Sequence, residues 1–357
     1  MDKALYQLNP MTQTNPPAYL LRADEGPKVT FNGAEITLIA SRDQSGDVVE
    51  VVDVVAPNGF SLPAHRHTKT HKSLYVESGE LLLSFPDKTY HLKAGDFGHI
   101  PKGVAHQIEC ITPATRTLYF SGVGGLSSLF RELSENEKTE RESVYTVSEN
   151  VDFQLVDGFD RVLPAEEVST IKRPDGPLPY VIRKGGGEHL IVEDQLQTFL
   201  VRQNNSEGQY LVVLTEGPAG HAIIQHYHKR HTECFYALEG QMTMWNEGQI
   251  TALKPGDFLH VPPYIKHSYR LDSPYTKFIG LLSPGLFEPF FDALCTPYPE
   301  HTLPEKPGPA RIDRVLKNYG KLDLYFVSPP PDTSMNPVQA TMVRFSFWLA
   351  GKLASKN

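Results

Sequence analysis

Residues 220–240 read GHAIIQHYHKRHTECFYALEG, and residues 255–269 read PGDFLHVPPYIKHSY. On an extended strand alternate side chains share a face, so His226 and His228 point to one side and Tyr227 to the other. A turn and the next strand return Glu233 to that side, and a second hairpin framed by Gly256 and Pro262 returns His267. Three imidazoles and a carboxylate can surround one divalent first-row metal and leave coordination positions open for substrate and oxygen. The spacing therefore predicts a metalloenzyme whose ligands are His226, His228, Glu233 and His267.

The pattern occurs twice. Upstream, residues 59–79 read GFSLPAHRHTKTHKSLYVESG and residues 94–107 read AGDFGHIPKGVAHQ. His226, His228 and His267 each follow His65, His67 and His106 by 161 residues, as Gly220, Gly240, Gly256 and Pro262 follow Gly59, Gly79, Gly95 and Pro101. One offset kept across the whole pattern marks an internal duplication. The leaders repeat too, Tyr19-Leu20-Leu21-Arg22 against Tyr180-Val181-Ile182-Arg183.

One position breaks the repeat, because Lys72 stands where the second copy has Glu233. An ammonium has no lone pair for a metal and repels a dication, so the two sites differ chemically unless Lys72 loses its proton or turns away. The chemistry is expected in the C-terminal copy. His65, His67 and His106 form a second candidate metal site, read either as a weak three-His site, as an empty scaffold, or as one recruiting His71. Strand parity sets His71 outward. His99 and His260 also repeat, and are expected as hydrogen-bonded or solvated residues on the sheet face.

The chain has 357 residues, enough for two domains each with its own core. A formal net charge of −8 and no Lys/Arg cluster leave no footprint for nucleic acid. Cys110, Cys234 and Cys295 are odd in number and widely spaced, as expected of free thiols in a reducing compartment. The N-terminal stretch has no apolar core of signal length and no run reaches membrane-spanning length, so a cytoplasmic location without a membrane span is expected.

Short runs of Val, Ile, Leu, Phe, Tyr and Thr, broken by Gly, Pro, Asp and Asn about every ten residues, predict an all-β chain of antiparallel sandwiches or barrels. Asn246-Glu247-Gly248 is a hairpin turn in this reading. Helical spacing is confined to LSSLFRELSENEKTERES and GLFEPFFDALC at the end of each copy, and to an amphipathic tail in NPVQATMVRFSFWLAGKLAS. The tail is expected to cap the protein's own surface or an oligomer interface rather than a membrane. The expected division is an N-terminal domain at 1–145, a linker at 146–177, a C-terminal domain at 178–327, and a Pro-rich linker with a tail helix at 328–357.

The segment G(x)5HxH(x)4E(x)6G from Gly220, followed by G(x)5P(x)4H from Gly256, resembles the two-part cupin motif, and its tandem occurrence resembles a bicupin, two jelly-roll barrels in one chain. Residues 178–300 above all, within a likeness spanning about 17–325, are similar to the quercetin 2,3-dioxygenases. The resemblance implies that His226, His228 and His267 hold the metal and that Glu233 is both ligand and catalytic base. It implies flavonol and O2 as substrates, opening of the heterocycle, and release of carbon monoxide and a phenolic ester. The metal is manganese, iron, cobalt, nickel or copper, since a mixed nitrogen and oxygen donor set accepts each. Phe235, Tyr236, Tyr264 and Tyr269, with Trp245, are candidates for the substrate wall, with Phe235 and Tyr269 inward by parity. Burial is expected to tune the Glu233 carboxyl upward. Two departures are Lys72 and Tyr264, the latter where the first copy keeps Gly103. The alternative is a bicupin acting on another enol or phenol, or, as in an oxalate decarboxylase, on a small carboxylate held by Arg230; a non-enzymatic bicupin is the third reading. A homodimer is the default oligomer.

Overall fold

The computed structural model describes residues 16–122, 124–139, 143–159, 164–169, 172–333 and 337–354. The residues read above for a secretion signal, parts of the 146–177 segment, and the last three residues lie outside these ranges.

Each copy folds as two facing antiparallel sheets. In the first, the strands run in the order Tyr180–Ile182, Phe97–Ile100, Lys72–Ser78, Thr115–Ser121, Glu50–Ala56, Ala34–Ala40, Lys28–Phe31. The sheet facing it carries Ser61–Arg66, His106–Cys110, Glu80–Phe85 and Lys88–Lys93. The second copy repeats this with Phe258–Val261, Thr232–Glu239, Thr276–Ser283, Leu211–Gly217 and Gln195–Val201 facing Gln249–Leu253, Met242–Asn246, His267–Leu271 and Gln225–Tyr227. Alternation places Leu74, Val76, Leu81 and Leu83 in one interior and Phe235, Ala237, Met242 and Met244 in the other, all buried. The chain is an all-β bicupin. The predicted turn is a two-residue loop, Glu247 at φ 46° and Gly248 at φ 81°, the left-handed pair that a tight hairpin requires.

The large sheets pack back to back. A shared core joins Val51, Tyr75, Phe97 and Phe120 of the first copy to Val212, Cys234, Tyr236 and Leu281 of the second. The leaders cross over. Tyr19–Leu21 pairs with Phe258–Val261, Tyr19 opposite His260, and Tyr180–Ile182 pairs with Phe97–Ile100, Tyr180 opposite His99. Each barrel thus receives an edge strand from the other's leader, which covers an otherwise open edge.

His99 and His260 therefore lie between the barrels rather than on a solvated face. His99 Nδ1 contacts Ser73 Oγ at 2.9 Å and Nε2 contacts the Asn205 carbonyl at 3.1 Å. His260 stacks on Tyr19 at 4.9 Å. Helices are peripheral: Leu126–Lys138, Glu288–Leu294, Ile312–Asn318 and Pro337–Ala354 follow the barrels. The three cysteines are free and buried. Among the described residues no helix is long and apolar enough to cross a membrane.

Candidate metal centre

His226 and His267 are cross-strand partners at the end of the small C-terminal sheet, and Glu233 comes from the facing large sheet. The ring centroids of His226 lie 4.9 Å from His228 and 4.4 Å from His267. One donor atom from each of His226, His228, Glu233 and His267 falls within 4.8 Å of all the others. The residues read from spacing thus come together at one point.

The backbone sets the tautomers. His226 Nδ1 lies 3.0 Å from the Ile224 carbonyl, His267 Nδ1 2.9 Å from the Ile265 carbonyl, and His228 Nδ1 2.6 Å from the Asp323 carbonyl. A carbonyl only accepts, so each Nδ1 carries a hydrogen, and Nε2 is the nitrogen left to offer a lone pair to a metal. His228 Nε2 is buried without a hydrogen-bond partner. Glu233 Oε2 sits 3.1 Å from His267 Nε2 and 3.4 Å from His228 Nε2. Three imidazole nitrogens and a carboxylate oxygen gathered at one point fit a divalent cation.

Glu233 corrects one expectation. Burial raises its carboxyl, but its closeness to His228 and His267 outweighs that and holds the group well below the usual carboxylate range. The carboxyl is held ionised rather than tuned upward.

The wall candidates divide by parity. Phe235 faces inward, 6.3 Å from the His267 ring, and Tyr269 lies 6.1 Å from Phe235 with its hydroxyl donating to Gln195 at 2.8 Å. Tyr236, one residue on, points the other way into the inter-barrel core, its hydroxyl 3.2 Å from Glu77 of the first copy. It is no part of the wall. Trp245 lies opposite Ser268 on the outer face, with the Arg270 guanidinium 5.5 Å from its ring. Tyr264 is 56% exposed and stacks on Tyr227 outside the barrel. Its φ of 71° matches the 82° of Gly103, and its N–H donates to the His228 carbonyl as that of Gly103 donates to His67. The turn survives at a backbone cost of about 1 kcal/mol for a residue with a Cβ.

Sequence reasoning missed Asp323, His231, Phe278 and Phe287. The Asp323 carboxylate is fully buried and accepts from the N–H groups of Lys229 at 3.1 Å and Arg230 at 2.9 Å and from His231 Nδ1 at 2.7 Å. These bonds hold it far below its ordinary pKa. One residue thus anchors His228 through its carbonyl and the following loop through its carboxylate. Phe287 lies 4.5 Å from the His228 ring, and Phe278 5.3 Å from Tyr269. Arg230 is about half exposed, 3.6 Å from Asp323.

In the first copy Asp152 plays the same part. Its carbonyl accepts from His67 Nδ1, and its carboxylate from the N–H groups of Thr68, Lys69 and Thr70. His65, His67 and His106 also converge within 4.8 Å, all three Nε2 atoms buried without partners. Beside them Lys72 is 1% exposed with no hydrogen-bond partner for Nζ, which lies 5.8 Å from the Tyr119 ring, and burial pushes its pKa down to about 7 against the pull of Asp152 and Glu50. His71 is not in this cluster; it stacks on His99 at 5.7 Å and meets Glu207 at 3.1 Å.

The cupin-domain profile matches residues 51–120 and 213–276. Over 322 residues the chain is 39% identical to a quercetin 2,3-dioxygenase of Bacillus subtilis, covering 87% of this chain and 96% of that protein. Over 131 residues it is 34% identical to a quercetin 2,3-dioxygenase of Aspergillus japonicus, 34% of this chain and 37% of that one. An oxalate decarboxylase structure from Bacillus subtilis superposes with a TM-score of 0.52 at 16% identity over 76% of this chain and 78% of its own, a likeness of fold alone. With two cupin barrels, one complete three-His, one-Glu cluster, and identity that runs nearly the whole length of a characterised relative, the chain belongs to the quercetin 2,3-dioxygenase family of bicupins.

Proposed function

We propose that this cupin dioxygenase opens the heterocycle of a flavonol such as quercetin with O2, releasing carbon monoxide and a phenolic ester, at the C-terminal cluster. The observation that carries the reading is the asymmetry between the copies. Glu233 gives the C-terminal cluster an anionic oxygen donor, whereas Lys72 gives its counterpart a buried amine.

His226, His228 and His267 through Nε2, and Glu233 through a carboxylate oxygen, would hold one divalent transition metal. Bound there, it supplies a Lewis acid that lowers the cost of an enolate and favours electron donation to oxygen. Glu233 is the base beside the donors. Held ionised, it can accept the flavonol 3-hydroxyl proton. Phe235, Phe278 and the ring of Tyr269 pack together inside the barrel and Phe287 packs against His228, an apolar surround that excludes water and suits an aromatic substrate. The hydrogen bond to Gln195 fixes the orientation of the Tyr269 ring. A small carboxylate would need a cation at the donors, and Arg230 is instead about half exposed, with Nε 3.6 Å from Asp323.

The three-His cluster of the first copy is read as a weaker site, since a dication there gains no anionic ligand. Aerobic quercetin turnover, measured as headspace carbon monoxide from protein reconstituted separately with manganese, iron, cobalt, nickel or copper, tests the proposal. Release with at least one metal, lost in Glu233→Gln, supports it. Absence of carbon monoxide from protein holding one metal per chain would redirect it to another enol.

A further inference from the structure

The tail helix Pro337–Ala354 has two apolar faces, and only one is covered. Phe347 is buried, stacking on Phe326 at 4.5 Å and meeting Tyr319 at 5.4 Å. Val343 joins the same hydrophobic cluster, which runs on to Phe287 beside His228. Phe326 is the cross-strand partner of His226. The covered face therefore lies at the metal-bearing end of the C-terminal barrel.

On the other side Val338, Met342, Phe345, Leu349 and Leu353 recur at helical spacing, each between 42% and 64% exposed. With Trp348 they make six of the thirteen large exposed apolar side chains among the described residues, so this is a patch rather than scatter. Arg344, Trp348 and Lys352 line its border four residues apart, with Lys352 Nζ 5.8 Å from the Trp348 ring. The helix carries no acidic residue, although the chain as a whole has a net charge of −8.

We infer that this face docks on an anionic lipid surface. An apolar stripe bordered by cations and an indole suits the boundary between headgroups and acyl chains, where Arg and Lys meet phosphates and Trp sits at headgroup depth. A two-fold pair of such helices would instead bring the cations Arg344 and Lys352 of two copies to one interface, with no acidic residue on the helix to pair them. Docked this way, the helix holds the metal end of the C-terminal barrel against the lipid, the phase in which a flat apolar substrate concentrates.

The test uses full-length protein with Trp245→Phe, which leaves Trp348 as the one indole of two in the chain. It is mixed with vesicles of phosphatidylglycerol and phosphatidylcholine, or of phosphatidylcholine alone. Docking predicts a blue shift of Trp348 emission and cosedimentation with the anionic vesicles, on the order of thirtyfold stronger than with neutral ones for two cations, and weakened by salt. Met342→Ser with Phe345→Ser removes both signals at an unchanged melting temperature. Equal binding to both vesicle types, or none to either, overturns the proposal. So does a blue shift that appears without lipid as protein concentration rises and tracks a doubled mass in sedimentation, which would make a second copy the occupant.

Discussion

Asp323 shows how much of the centre depends on a residue that reaches it only through another. Its carbonyl fixes the His228 tautomer and its carboxylate closes the loop to His231. Asp323→Asn keeps the carbonyl but turns an amide toward donor N–H groups, so metal affinity at the C-terminal cluster should fall about 10- to 100-fold, read by chelator competition. Unchanged affinity would remove Asp323 from this role. The same residue marks where the sequence ceased to be legible. Asp152 and Asp323 are equivalent in space but 171 residues apart, so the 161-residue offset that aligns every histidine of the two clusters passes them by. Tyr236 was misplaced for a simpler reason. A strand between two cores has apolar residues on both faces, and composition does not say which core a tyrosine enters; parity from Glu233 does, and it sends Phe235 inward and Tyr236 outward.

Among elements, helix Leu126–Lys138 starts at Gly125 without a side-chain cap of its own. Glu50, at the head of a strand 75 residues earlier, accepts instead from the N–H groups of Gly125 at 2.7 Å, Leu126 at 2.8 Å and Ser127 at 3.0 Å. Removing a fully buried carboxylate leaves three helix donors unsatisfied, so Glu50→Ala should destabilise the fold by about 3 kcal/mol in denaturant titration. A cost within about 0.5 kcal/mol would mean that water replaces the cap. The strands themselves were readable because many of their turns are local: left-handed glycines such as Gly79, Gly95, Gly240 and Gly256 end runs regardless of the rest of the chain. A cap donated from a distant strand leaves no such mark beside the helix it serves.

At the scale of the molecule, the duplication became one body through its leaders and the back-to-back sheets, and the repeated His99 and His260 are sealed between them. Burial lowers His99 to about 3 and His260 to about 4, so the folded chain keeps both neutral. An unfolded chain protonates them near pH 6.5; their stabilisation is complete above that value and declines as pH falls toward the folded values, by roughly 2 kcal/mol per histidine at pH 5. Unfolding free energy should therefore drop between pH 7 and pH 4.5, and a His260→Phe variant should show a shallower drop. A flat profile would mean that solvent reaches the interface. The two barrels were readable from one repeated spacing, but their mutual packing was not, since it depends on which apolar face of each large sheet meets the other.

The claim on which everything else rests is that the C-terminal cluster, and not its N-terminal twin, carries the chemistry. Carbon monoxide release from quercetin, measured beside bound metal per chain, separates the two. His226→Ala with His228→Ala should abolish release, while His65→Ala with His67→Ala should retain most of it with the C-terminal metal still bound. Release that survives the first pair and is lost with the second would contradict the account.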